Sequence, residues 1–183
     1  MNDYDPELQR SCFYGSRDAW RRAREVILEA VYKDGTFLDV GCANGVLVGD
    51  LCLWAQERKI KLTPFGIDLD EKLIAECRAR FPEFKKNFIV ADRFEFKPKR
   101  KFTFICAFFN FRNRMTEIYL KRYLTMLEPG GRLILTRYDD YKDEFMLLEK
   151  YLKKLESKLN FSFAGTAEVQ DITKVFWLEN KAG

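Results

Sequence analysis

At 183 residues with an ordinary hydrophobic share of 47%, the chain is long enough for one domain with a full core, and its composition is neither disordered nor membrane-like. A net charge of only +4, five cysteines without paired or metal-type spacing and a complete lack of histidine exclude a disulfide scaffold and remove the commonest general base and metal ligand together. No apolar run approaches the roughly 20 residues of a membrane helix. The opening Met1-Asn2-Asp3-Tyr4-Asp5-Pro6-Glu7 is acidic and polar, unlike a signal peptide. Cys42, Cys52 and Cys106 lie in apolar segments, as free thiols in a reducing compartment do, so the expected location is cytoplasmic.

Residues 1–15 show no period and read as a mobile arm whose Tyr4, Phe13 and Tyr14 can lie over a ligand. Ser16 or Asp18 caps a helix running to about Val31, with Trp20, Ala23, Ile27 and Val31 on one face. Asp34-Gly35 ends it and delivers the chain into a short apolar strand, Phe37 to Val40. The chain then breaks at Gly41-Cys42-Ala43-Asn44-Gly45 and resumes as a helix with Leu47, Leu51 and Trp54 at helical spacing. Pro64 to Asp68 is a second strand ending in a carboxylate. Asp70 caps a helix through Leu73, Ile74, Cys77 and Phe81 that Pro82 stops.

Phe88 to Ala91 is a third strand, followed by Asp92 and a charged loop from Arg93 to Lys101. Phe102 to Phe109 is nearly continuous apolar sequence, the mark of a strand buried on both faces. It leads into Asn110-Phe111-Arg112-Asn113-Arg114, which has no clear preference. A helix carrying Ile118, Leu120, Tyr123, Leu124 and Leu127 follows, then a turn at Glu128-Pro129-Gly130-Gly131 and a fifth strand from Arg132 to Tyr138. Phe145, Leu148, Leu152, Leu155 and Leu159 form one helical stripe. Phe161 to Val169 and Lys174 to Glu179 are strands whose short joint demands antiparallel pairing. Five β–α units and a hairpin predict a single α/β domain, a three-layer α/β/α sandwich around a Rossmann-like, mostly parallel seven-stranded sheet with an antiparallel C-terminal hairpin.

The strand–glycine loop–helix unit around Gly41 places the free N–H groups and positive end of a helix against the loop. An acid at the tip of the next strand, Asp68, stands where ribose hydroxyls are bound in such units. The spacing is G-x-x-x-G, with Ala43 and Val48 where the G-x-G-x-x-G fingerprint for NAD needs glycines, and Asp39 would repel a pyrophosphate. The stretch Leu38-Asp39-Val40-Gly41-Cys42-Ala43-Asn44-Gly45, the turn Leu127 to Leu133 and the terminal hairpin resemble those of the S-adenosylmethionine (SAM) dependent class I methyltransferases. The resemblance extends from about Ser16 to Asn180 and implies SAM as cofactor, and no metal site is suggested by the sequence. It implies that Asp39 and the loop Gly41, Cys42, Ala43, Asn44 and Gly45 hold the methionine part and that Asp68 takes the ribose. Leu69 would then pack on adenine, Asp92 accept from its amino group, Arg93 lie by the ring and Phe108 close the strand end.

The sulfonium is already an activated electrophile, so alignment and desolvation suffice and the missing histidine is tolerable. If the acceptor must lose a proton, Tyr138, Asp139, Asp140 and Asp18 are available, and Asn110 stands where the family often contacts the acceptor. The Asn/Asp-Pro-Pro-aromatic motif of amino-directed base methyltransferases and the paired-glutamate loop of protein arginine methyltransferases are absent. The expected activity is direct in-line methyl transfer to a small molecule. A non-catalytic SAM-binding sensor or subunit, a nucleotide-dependent oxidoreductase and an RNA methyltransferase stay open as alternatives. The last would use the basic stretch 93–122, where nine basic residues face only Glu95 and Glu117. That stretch reads equally as a solvated face, and the alternation of Phe94, Phe96, Phe102 and Phe104 predicts core positions rather than base-stacking platforms.

Overall fold

The computed structural model of the chain describes residues 5–108, 116–138, 142–169 and 172–181. In chain order the elements are α1 (Pro6–Gln9), α2 (Arg17–Arg24), β1 (Gly35–Val40), α3 (Val46–Glu57), β2 (Leu62–Asp68), α4 (Glu71–Arg80), β3 (Phe88–Val90), β4 (Phe102–Phe108), α5 (Thr116–Thr125), β5 (Leu127–Tyr138), α6 (Lys142–Glu156), β6 (Phe161–Val169) and β7 (Thr173–Asn180). Two 3₁₀ segments, Glu25–Ala30 and Pro82–Asn87, extend α2 and α4. The seven strands form one sheet in the order β3-β2-β1-β4-β5-β7-β6. β1 to β5 pair in parallel, while β7 is antiparallel to both β5 and β6.

The sequence places β4 at the centre because it has nothing polar to show either layer except Thr103. Six of its seven residues are buried. Phe104 and Cys106 face the core layer beneath α2, α3 and α4, and Ile105 and Ala107 face the layer beneath α5 and α6. β1 divides in the same way, Phe37 to the first layer and Leu38 and Val40 to the second. Asp39 therefore points toward the α2 side, in register with Gly66 of β2 and Cys106 of β4. Leu148, Leu152 and Leu155 of α6 are buried along one stripe, whereas the side chain of Phe145 lies outside the described residues.

Residues 5–15, within the expected mobile arm, carry local structure. Asp5 caps α1 through Glu7 N at 2.8 Å, Pro6 opens the helix, and Leu8 is fully buried in the core. Arg17 pairs with Asp5 and Glu7, Arg80 pairs with Glu7, and Arg10 pairs with Glu76. The Arg80 guanidinium bonded to Glu7 holds that carboxyl below its ordinary value despite partial burial.

Two further expectations are corrected. Glu128-Pro129-Gly130-Gly131 is an irregular excursion inside β5, since Leu127 already pairs with Phe102 before Arg132 pairs with Phe104. Gly130 takes the left-handed turn this needs, at φ 72°. Phe94 and Phe96 lie in the loop after β3 and not in a strand. Phe94 is exposed and stacked on Tyr119 at 4.6 Å and Phe96 is half-buried, while Phe102 and Phe104 are core as expected.

Candidate cofactor site

Ligands of open α/β sheets sit beyond the carboxyl ends of the strands, where the strand order reverses. Here the order turns between β1 and β4, and a cavity of about 390 Å³ opens there. The ends of β1, β2 and β4 contribute Asp39 to Ala43, Asp68 and Phe108. Trp20 and Arg24 of α2 and Arg10 to Cys12 of the N-terminal segment cover it, and Arg93 enters from the loop after β3.

The loop after β1 is bent by three left-handed residues, Gly41 at φ 81°, Ala43 at 46° and Gly45 at 76°. The two glycines serve different ends. A Cβ on Gly41 would meet only Arg93 Nη2 at 3.4 Å, so that position keeps the cavity open. A Cβ on Gly45 would meet Cys77 Sγ at 3.0 Å and Phe81 at 3.2 Å, so that glycine allows α3 to pack on α4. Gly41 N and Cys42 N donate to Ile67 O at 2.8 and 3.0 Å, stitching the loop to β2.

Asp39 is 1% exposed, and its Oδ1 has no hydrogen-bond partner among the described residues. Burial, and secondarily the Asp68 charge, push its pKa up to about 7, against an opposing pull from Arg24. Arg24 is itself 1% exposed, its guanidinium carbon lying 4.9 Å from the Phe108 ring, 5.0 Å from Trp20 and 5.5 Å from Phe13. Burial brings its pKa down to about 10, which leaves it a cation at neutral pH. The cavity is thus lined by a buried acid and a buried guanidinium.

Asp68 stands at the tip of β2 and lines the cavity. It is also part of the loop scaffold, accepting from Ala43 N at 2.9 Å and from Asp70 N at 3.0 Å. Other expected positions diverge. Asn44 is fully buried and turned away, donating to Glu7 O at 2.9 Å and accepting from Ser11 Oγ at 2.6 Å, so it fastens the N-terminal segment. Leu69 is 67% exposed and outside the cavity lining, because the chain turns outward into the Asp70 cap. Asp92 also lies outside the lining and organises its own turn through Phe94 N at 2.6 Å. Cys42 lines the cavity but is an inert buried thiol, 3.9 Å from Cys77 Sγ. Asn110, Asp139 and Asp140 lie outside the described residues, as does the Tyr138 side chain.

Arg24 and Trp20 are site residues that the sequence reading did not single out. Their signal was present: Trp20, Arg24 and Leu28 are spaced four apart, which puts a cation on the buried face of an otherwise amphipathic helix. No helix among the described residues is long and apolar enough to cross a membrane, and no group of potential metal ligands occurs among them.

Comparison with known proteins agrees with this geometry. A family model described as a methyltransferase domain matches residues 37–131, which carry the loop, both strand-tip acids and β4. A SAM-dependent methyltransferase from Clostridium acetobutylicum ATCC 824 superposes with a TM-score of 0.62 at 15% identity, over 89% of this chain and 92% of that one. The N-methyltransferase NodS from Bradyrhizobium japonicum WM9, in complex with S-adenosyl-L-homocysteine, gives 0.61 at 16% identity over 99% and 90%. The ribosomal protein L11 methylase from Lactobacillus delbrueckii subsp. bulgaricus gives 0.63 at 14% identity over 92% and 81%. A comparison with curated proteins finds no match. At these identities the structures establish the fold alone, while the family model spans more than half of the 183 residues. The chain belongs to the methyltransferase domain family, and its fold is that of the SAM-dependent class I enzymes.

Proposed function

We propose that the protein binds SAM in the cavity at the ends of β1, β2 and β4 and transfers its methyl group to a small-molecule acceptor by in-line displacement. The observation that carries this reading is the buried Asp39 carboxyl group, with one oxygen lacking a hydrogen-bond partner among the described residues, in a cavity also lined by the buried Arg24. A buried unpaired acid is costly unless a partner arrives, and the ammonium of the methionine moiety is such a partner. Arg24 faces the carboxylate, Gly41 leaves room for the chain, and Asp68 accepts from the ribose. When bound, SAM supplies a methyl group on a sulfonium whose leaving group is a neutral thioether.

The protein's share of the chemistry is then to orient and to exclude water. Trp20 and Phe108 wall the cavity with rings. The N-terminal segment, fastened by Asn44 and by the Glu7 ion pairs, covers it. A small acceptor is favoured over RNA because Lys97, Lys99, Arg100 and Lys101 precede β4 and lie at its amino end, whereas the cavity is at its carboxyl end.

Calorimetric titration tests the reading. Wild-type protein should bind SAM and S-adenosylhomocysteine but not NAD. Arg24→Met, which keeps the packing between the rings, should weaken SAM at least tenfold while leaving adenosine affinity unchanged. Binding of NAD in place of SAM, or unchanged SAM affinity in Arg24→Met, contradicts it.

A further inference from the structure

We infer that the amino end of the sheet is a docking groove for the phosphate backbone of a nucleic-acid strand, separate from the cofactor cavity. Two cavities meet there. The first, about 440 Å³, is lined by Lys97, Lys99, Arg100, Lys101 and Arg122. The second, about 590 Å³, adds Lys121, Lys158 and Lys181 and shares Lys101 and Thr125 with the first. Eight basic residues thus line two adjoining cavities, and among the described residues no acidic residue lines either of them.

The convergence is a product of topology and not of local sequence. Residues 97–101 precede β4, Arg122 and Thr125 close α5, Lys158 follows α6, and Lys181 follows β7. Helices antiparallel to their strands, together with a reversed β7, bring all these ends to the same edge. Chance solvation explains one charged loop; it does not explain four chain segments converging where Glu117, 3.1 Å from Lys121, stands outside the lining and no acidic residue stands within it among the described residues. At the floor of the first cavity Arg122 donates from Nη2 to Phe96 O at 2.6 Å, while its buried Nε has no hydrogen-bond partner among the described residues.

The lining selects among polyanions. Among the described residues none of the exposed large apolar side chains lies in the groove; its Leu124, Met126, Leu127 and Leu159 are buried and its Phe96 is half-buried. A membrane-binding surface would present apolar groups for insertion. Eight cations spread over two joined cavities exceed what one nucleotide needs, whereas a strand carries a phosphate at every step. Without an exposed aromatic platform in the groove, recognition is electrostatic and independent of sequence. The seven residues of β4 separate this groove from the cofactor cavity by roughly 20 Å at about 3.3 Å per residue. A strand held there is anchored and is not presented to the methyl donor.

Fluorescence anisotropy with labelled 20-nucleotide single-stranded RNA and DNA tests this on the full chain. At least one should bind at micromolar concentration in 50 mM salt, and affinity should fall by about 10²- to 10³-fold at 200 mM, as release of counterions from five to eight phosphates requires. Two variants, Lys97→Glu/Lys99→Glu and Lys158→Glu/Lys181→Glu, should each weaken binding at least tenfold. Arg22→Glu/Lys72→Glu, an equal charge change on α2 and α4, should not. Circular dichroism melting confirms that the variants fold. The proposal is overturned by absence of binding at 50 mM salt, by equal loss in the control variant, by ATP competing as well as an unlabelled 20-mer, or by capture on phosphatidylserine vesicles without nucleic-acid binding.

Discussion

Ala43 N donates a 2.9 Å hydrogen bond to Asp68 Oδ2, joining the glycine loop after β1 to the tip of β2. One carboxylate therefore both shapes the loop and faces the cavity, so its removal affects stability and binding together. Asp68→Ala should weaken SAM binding at least roughly tenfold, since hydrogen bonds to charged groups contribute about 1.5–3 kcal/mol each. It should also lower the melting temperature through the orphaned Ala43 N–H. Asp70→Ala is the matched control: Asp70 caps α4 through Lys72 N at 2.8 Å and Leu73 N at 3.4 Å. It should cost about 1 kcal/mol of stability and leave affinity nearly unchanged. Calorimetry and thermal melting of both variants check the contrast.

Asp39 makes SAM binding pH-dependent in a defined direction. Its pKa of about 7 in the folded protein lies above the ordinary 3.8. In the apoprotein its contribution to stability is accordingly full below about pH 4 and is lost as pH rises through about 7. A ligand ammonium favours the ionised form, so SAM affinity should rise about tenfold between pH 6 and pH 8, as the ionised fraction of a group with pKa near 7 does. Asp39→Asn should bind more weakly at pH 8 and without this dependence. A flat wild-type profile would remove Asp39 from the ammonium site.

Gly66 is held small by its neighbours. A Cβ there would lie 2.6 Å from Cys42 Sγ and 2.8 Å from Phe88 Cδ1, both fully or almost fully buried. Gly66→Ala should destabilise by about 1–3 kcal/mol, the usual cost of overpacking. The lower midpoint should appear in urea unfolding without a change of slope.

Asn44 fastens the cover of the cavity. Asn44→Ala removes the bonds to Glu7 O and Ser11 Oγ and the longer 3.4 Å bond that Val46 N donates to Asn44 Oδ1 at the start of α3, while the Val46 side chain stays buried. Hydrogen exchange should accelerate in residues 5–13 and stay unchanged in β1 and β4. Equal acceleration throughout would mean that Asn44 supports the whole domain.

Much of this was legible where one local rule governs. The apolar run from Phe102 to Phe109 reads as a strand buried on both faces, as β4 is over Phe102–Phe108, and the loop at Gly41 lies at the cavity. Legibility failed where tertiary contacts decide. α1 has four residues and no period, yet Asp5 before Pro6 is a cap signal that gains force only once Leu8 is buried. The glycines at 130 and 131 indicate a turn, but pairing of Leu127 with Phe102 extends the strand past it. Asn44 resembles a ligand contact in sequence, and only the fold turns it toward Glu7.

Trp20 offers an optical consequence of the packing around Arg24. Its indole Nε1 donates to Asp50 at 2.7 Å, the Phe13 ring meets it edge-on at 5.1 Å, and a guanidinium lies 5.0 Å from its centre. Of the three tryptophans in the chain, it is the one that lines the cavity. With Trp54→Phe and Trp177→Phe in the background, its emission becomes a built-in gauge of occupancy. Stopped-flow mixing can then read arrival and departure of a ligand in real time, without a label.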